Sequence, residues 1–148
     1  MTGSSGLVGT ALRPRLAESK HEVRRLRRGA TVSGATTSWN PATGSFADGA
    51  LDGIDAVVHL AGESIASGRW TAARKNEIRE SRVTGTDHLC RALARLESPP
   101  KVLVAASALG YYGDRGDELL DESAVLGDGF LPEVCQVWED AVGPARDK

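Results

Sequence analysis

The 148-residue sequence predicts an α/β fold, a doubly wound parallel sheet with helices on both faces in a three-layer αβα arrangement. Three observations predict it. A glycine-rich turn, Gly3 to Gly9, opens a helix at the amino end. Two compact apolar runs, Asp55 to Gly62 and Lys101 to Ala106, have the unbroken character of strands covered on both faces. Between them, helical periodicity runs from Thr71 to Leu96.

The elements follow in chain order. Leu7, Val8, Ala11, Leu12 and Leu16 recur at helical spacing up to Ser19, and Pro14 is expected to kink or shorten that helix, because its ring crowds the carbonyl of Thr10. His21 to Arg28 reads as a short strand around Val23 and Leu26. From Gly29 to Gly53 the composition is that of a loop, with only Thr37 to Trp39 extended. The long helix carries Ile78, Val83, Leu89, Leu93 and Leu96 on its apolar stripe and stops at Ser98-Pro99-Pro100. A last helix covers Pro132 to Ala141. The whole chain, 1–148, reads as one domain.

Composition narrows the function classes. Apolar residues at 41% and charged residues at 26% are ordinary for a globule, which argues against disorder. A net charge of −2 offers no broad attraction to nucleic acid or anionic membrane, so the expected partners are small molecules, with an oligomer possible. Cys90 and Cys135 lack the paired short spacings of a disulfide framework or metal knuckle, and a reducing cytoplasm is expected. No metal site is expected. The acidic residues Asp114, Asp117, Glu118, Asp121 and Glu122 read as a solvated loop, His59 as a hydrogen-bonded core residue, and His21 and His88 as surface positions.

The glycines at 3, 6 and 9 permit a tight turn, close approach to a pyrophosphate and close helix packing, while the helix start offers unpaired N–H donors to an anion. The backbone of Gly3, Ser5, Gly6, Leu7, Val8 and Gly9 is thus the candidate diphosphate cradle of a Rossmann-type domain. A glycine-rich turn without a ligand is the alternative. About 20 residues past the glycines such a domain carries an acid for NAD or an arginine for NADP. Arg27 and Arg28 stand there, and no Asp or Glu occurs from Val23 through Trp39, which selects NADP(H) as cofactor over NAD. A solvated basic edge is the alternative here. Leu60, Ala61 and Gly62 end an apolar strand, where the crevice at the carboxyl ends of parallel strands takes a ligand.

These motifs, with His59-Leu60-Ala61-Gly62-Glu63, Gly68-Arg69-Trp70-Thr71, Glu77, Ser81-Arg82-Val83 and Gly110-Tyr111-Tyr112-Gly113-Asp114, resemble short-chain dehydrogenase/reductase family 39U, atypical extended members of the NAD-dependent epimerase/dehydratase superfamily. The resemblance covers essentially the whole chain. It implies an NADP-binding domain of an epimerase- or oxidoreductase-like protein acting on a nucleotide-sugar-like or small carbonyl substrate. It also implies cofactor contacts at Arg27, Arg28, Leu60, Ala61, Glu77 and Arg82. Arg82 stands where many extended relatives have asparagine, and pairing with Glu77 or Glu80 is the alternative.

In the wider superfamily a serine after the fifth strand orients the substrate and a Tyr-x-x-x-Lys pair moves the proton. Ser107 fits the first role, while the tyrosine and lysine positions fall on Leu131 and Cys135. Tyr111 or Tyr112 is the candidate substitute, though an unassisted tyrosine, with a pKa of about 10, is a poor base at neutral pH. Cys135 reads as a small buried hydrophobe rather than a reactive thiol. The lost pair leaves a second function open, a non-catalytic NADP-binding sensor or scaffold.

Only Met1 and Thr2 precede Gly3, so most of the first strand is expected to be missing. About five buried apolar residues at roughly 1.5–3 kcal/mol each would be lost with it. The expectation is a start further upstream in the natural protein, a clipped chain, or another segment filling the gap. The later substrate region is likewise expected to lie beyond Lys148.

Overall fold

The computed structural model describes residues 1–29 and 33–146. Helix α1 (Leu7–Glu18) opens the chain, followed by β1 (Arg25–Arg28), β2 (Thr36–Asn40), β3 (Ser45–Phe46) and β4 (Ala56–His59). Helix α2 (Ala72–Ala94) leads to β5 (Val102–Ala105), a 3₁₀ turn at Leu109–Tyr112, α3 (Phe130–Asp140) and the short α4 (Gly143–Arg146).

β1 pairs in parallel with β2, and β2 antiparallel with β3; β4 pairs in parallel with β5. Met1 and Thr2 join the two sets. The Leu26 N–H donates to the Met1 carbonyl at 2.8 Å, the Thr2 N–H donates to the Val58 carbonyl at 3.0 Å, and Thr2 bridges His59 in parallel. The order β3-β2-β1-(Met1, Thr2)-β4-β5 is Rossmann-like, with those two residues in the central place. Among the described residues no other segment pairs into that place.

Five expectations change. β5, expected to be a buried strand, turns Val102 and Val104 outward on one face, more than half exposed. The stretch expected to be mostly loop supplies β2 and β3: Thr36, Thr37 and Trp39 are buried, and β-branched and aromatic side chains suit a strand covered by a neighbour. The turn between them needs Gly44, whose φ is +68° and whose missing Cβ leaves room for the His88 ring, 2.9 Å from where it would stand. His88 is accordingly half-buried, its Nδ1 2.8 Å from the Pro41 carbonyl, rather than a surface residue.

Pro14 neither ends nor shortens α1, which continues to Glu18. Pro14 and Thr10 are both exposed, so water can satisfy the carbonyl that the proline leaves unpaired. The apolar stripe expected on α1 is not buried either: Leu7 and Val8 face outward, and Gly9 is its one buried residue.

The long helix matches its periodicity closely. Thr71 caps it, its hydroxyl accepting the Arg74 N–H, and Ile78, Gly85, Thr86, Leu89, Cys90 and Leu93 form the buried face. Leu89 and Leu93 meet Leu26, Trp39, Leu51 and Val57 in the main core. Each such side chain contributes about 1.5–3 kcal/mol by burial, so this cluster is what fixes α2 against the sheet. On the other side of α2, Val134, Cys135 and Trp138 of α3 are buried, and Trp138 Nε1 donates to Thr86 Oγ1 at 3.0 Å. Among the described residues no helix is long and apolar enough to cross a membrane.

Candidate cofactor-binding site

A cleft of about 410 Å³ opens at the carboxyl ends of the central strands. Its floor is the Gly3–Gly6 turn; its walls are Leu60 to Glu63 on one side and Arg27, Arg28 and Trp39 on the other. The turn is shaped by two glycines that nothing larger can replace. Gly3 has φ +61°, and a Cβ there would stand 2.4 Å from the Leu60 carbonyl oxygen. A Cβ on Gly9 would stand 2.3 Å from the Gly3 carbonyl oxygen, so its absence brings α1 down onto the turn. Gly6 is different, with extended backbone as the N-cap and its nearest neighbour at 3.4 Å from a notional Cβ.

No side chain caps α1, and its first turn holds no acid. The amides of Leu7, Val8 and Gly9 have no backbone partner within the helix, and a helix start of this kind favours an anion. The residues therefore fit a diphosphate: a cradle that a Cβ would fill, uncapped donors and no competing carboxylate in the turn.

A buried hydrogen-bonded chain holds the opposite wall. The Thr2 hydroxyl oxygen accepts the N–H groups of Leu60 and Ala61, each at 3.2 Å, and lies 2.7 Å from His59 Nδ1. With both lone pairs taken, Thr2 donates its hydrogen to Nδ1, which leaves the ring proton on Nε2 to face Thr86 Oγ1 at 3.0 Å. His59 is thus a satisfied core residue, held neutral: burial, and secondarily the amino-terminal ammonium, push its pKa down to about 4.

The two arginines expected to choose the nucleotide are both exposed and line the cleft. Arg28 reaches Glu63 at 4.0 Å, a long and exposed pairing. Glu63 is held more firmly by Arg74, at 3.2 Å, and Arg74 also binds the Ser64 carbonyl, Ser67 and Glu77. Glu77 consequently lies outside the cleft lining, its carboxylate 2.8 Å from Arg74. Sequence spacing showed neither Arg74 nor Glu63 in this role, because the two sit eleven residues apart across a loop.

Arg82 pairs with neither Glu77 nor Glu80. Its Nη1 donates to the carbonyls of Glu63 at 3.0 Å and Ile78 at 3.1 Å, and its guanidinium lies 5.1 Å over the Trp138 ring. It stands directly behind Gly62, where a Cβ would be 3.3 Å from its Cζ, and burial lowers its pKa. Arg82, like Glu77, is thus not part of the cleft lining, and braces the wall from behind Gly62.

The catalytic candidates gather at the end of β5. The Ala106 N–H donates to the His59 carbonyl at 3.0 Å, which brings Ser107 level with the Ala61–Gly62 wall. Ser107 donates its hydroxyl hydrogen to Glu139 of α3, a partner that sequence reasoning missed. Tyr111 and Tyr112 are half-buried in the 3₁₀ turn, their rings edge to face at 5.4 Å. Leu131 and Cys135 both face Gly110 across that turn, 3.2 and 3.7 Å from its notional Cβ. Burial, then the Glu139 charge, raise the Cys135 pKa, which is the behaviour of an inert thiol. In the acidic loop, Asp114 and Asp121 accept bonds from Gly116 and Ser123, and Glu118 pairs with Arg115.

Comparison with known proteins agrees with this geometry. Residues 1–129 match the NAD dependent epimerase/dehydratase family. An epimerase family protein of Mycobacterium bovis, Mb2239, is 42% identical over 99% of this chain and 48% of its own length. The structure of a nucleoside-diphosphate sugar epimerase from Corynebacterium glutamicum superimposes with a TM-score of 0.82 at 42% identity, over 99% of this chain and 30% of that one. The human epimerase family protein SDR39U1, solved with NADPH, gives 0.81 at 31% identity, over 95% of this chain and 47% of its own. The chain spans about half the length of the curated relatives it matches. A Rossmann-like sheet, a glycine cradle at its switch point and a match over most of the sequence place the chain in the NAD dependent epimerase/dehydratase family, as an NAD(P)-binding domain.

Proposed function

We propose that the chain binds NADP(H) and forms the cofactor half of an epimerase- or oxidoreductase-like protein acting on a nucleotide-sugar-like or small carbonyl substrate. One observation carries the reading: the Gly3–Gly6 turn, which ends at the uncapped start of α1, lines a cleft whose rim holds Arg27 and Arg28. The glycine turn would take the diphosphate, the two guanidiniums the ribose phosphate, and Leu60, Ala61 and Gly62 would line the wall beside them. Bound there, the cofactor supplies hydride chemistry. Human SDR39U1 with NADPH and the Corynebacterium glutamicum nucleoside-diphosphate sugar epimerase support cofactor and substrate class respectively. On this reading the partners are small molecules and the setting is the cytoplasm.

Nicotinamide fluorescence titration with NADPH and NADH tests it. The expected result is NADPH bound at least about tenfold more tightly, the scale of one charge-assisted contact. Equal affinities would remove the role of Arg27 and Arg28, and binding of neither would overturn the reading.

Leu131 and Cys135, packed on Gly110 where a proton-transfer pair stands in the wider superfamily, favour a second reading, a non-catalytic NADP-binding sensor. Incubation with tritiated NADPH and a panel of sugar nucleotides and aldehydes separates the two, because a sensor transfers no label.

A further inference from the structure

We infer that a second cleft, beside the β2–β3 hairpin, is an anion site that takes a phosphate ester and shares Arg28 with the cofactor cleft. It measures about 510 Å³, within the ~300–1,000 Å³ of small-molecule sites. Arg28 and Trp39 line both clefts. No carboxylate lines the second one, and its polar side chains hold donors that lack acceptors. Among the described residues the Arg28 guanidinium has only the long, exposed contact to Glu63 at 4.0 Å. Asn40 Oδ1 accepts the Ala42 N–H at 3.0 Å, which fixes the amide and leaves its two N–H groups without a partner among the described residues.

The buried indole points the same way. Trp39 is 3% exposed, and of the three indoles its N–H alone has no acceptor among the described residues: Trp70 donates to the Ile65 carbonyl and Trp138 to Thr86. A buried donor without an acceptor is costly, and a bound oxyanion supplies one. Strand register puts the cation beside it. Arg28 pairs with Trp39 across β1 and β2, and Trp39 with Phe46 across β2 and β3, where the two rings stack at 5.6 Å. Cation, indole and phenyl therefore follow one another on one face of the sheet. That row is charged at one end and apolar at the other. A phosphate at Arg28, with the apolar body of its ester along Phe46, matches both ends.

Indole N–H resonances in proton–nitrogen correlation spectra of the full chain, titrated with phenyl phosphate and with phenol, test the site. The Trp39 resonance, assigned by its loss in Trp39→Phe, is expected to move downfield with phenyl phosphate while those of Trp70 and Trp138 stay in place. Phenol is expected to bind at least about tenfold more weakly, the scale of one charge-assisted contact. Asn40→Asp keeps the acceptor for Ala42 but puts a carboxylate in the cleft, so the ester is expected to lose about tenfold in affinity. Unchanged Trp70 and Trp138 resonances show that this variant has folded. A Trp39 resonance that stays in place, equal binding of phenol, or an unaffected Asn40→Asp overturns the inference. Only the coupling to cofactor rests on the proposed function: the ester is expected to weaken NADPH binding about fivefold or more and to leave NADH unchanged. An ester that displaces both nucleotides alike occupies the cofactor cleft, and one that weakens neither does not share Arg28; either result overturns the inference. A Trp39 resonance that still moves in a chain binding neither nucleotide removes the cofactor assignment alone.

Discussion

The Thr2 hydroxyl stands 2.7 Å from Nδ1 of His59 and also receives the amides of Leu60 and Ala61. A single side chain on the central strand thereby fixes a histidine tautomer on β4 and the backbone path of the cleft wall. Thr86 continues the chain to α2, and Trp138 anchors it to α3. Four parts of the fold meet in one buried hydrogen-bonded network.

That network predicts acid sensitivity. The pKa of His59 is depressed from 6.5 to about 4, so between those values the unfolded chain binds a proton that the folded chain refuses. Its contribution is fully present above pH 6.5 and is lost as the pH falls toward 4, about 3 kcal/mol in all. Urea unfolding at a series of pH values checks this. His59→Gln is expected to flatten the slope in that window while lowering stability at neutral pH.

The three glycines of the turn are predicted to differ. Gly3→Ala combines a positive φ with a backbone clash and is expected to cost about 2–4 kcal/mol. Gly9→Ala, with only the clash, is expected to cost about 1–3 kcal/mol. Gly6→Ala meets nothing closer than 3.4 Å, so its stability is expected to stay within about 0.5 kcal/mol of wild type. Chemical denaturation of the three variants gives the ranking directly, and a destabilised Gly6→Ala would contradict the description of the turn.

Arg28→Met is predicted to weaken NADPH binding about 10- to 100-fold, the loss of one or two charge-assisted bonds, with NADH changed less than about threefold. Raising the salt concentration should shrink the wild-type difference, because the guanidinium is exposed. Fluorescence titration of both nucleotides at two ionic strengths measures both effects.

Arg82→Met leaves the carbonyls of Glu63 and Ile78 without their donor and strips the cation from the Trp138 face. A stability loss of about 1–3 kcal/mol is expected. The accompanying change in Trp138 emission distinguishes it from a variant that merely loses surface charge.

Much of this architecture was legible from local signals. The glycine turn, the Thr71 cap, the periodicity of α2 and the apolar runs of β4 and β5 each depend on residues close in sequence. Strand β2 was hidden because Thr36, Thr37 and Ser38 look polar: two of the three are buried once β1 lies alongside, and no neighbour within the segment reveals that. Glu139 was hidden for a similar reason. On a helix with Glu133, Glu139 and Asp140, an acid reads as a solvated position until the fold brings it to Ser107, thirty-two residues earlier. The charge of Arg82 suggests an anionic partner, whereas its partners in the fold are the backbone carbonyls of Glu63 and Ile78, which carry no sequence signature.

Glu63 lies between two arginines, near one and farther from the other. An incoming phosphate at Arg28 would therefore take the place of a carboxylate rather than of water alone. Once displaced, Glu63 would rest on Arg74, which grips the Ser64–Ser67 bend and the first turn of α2.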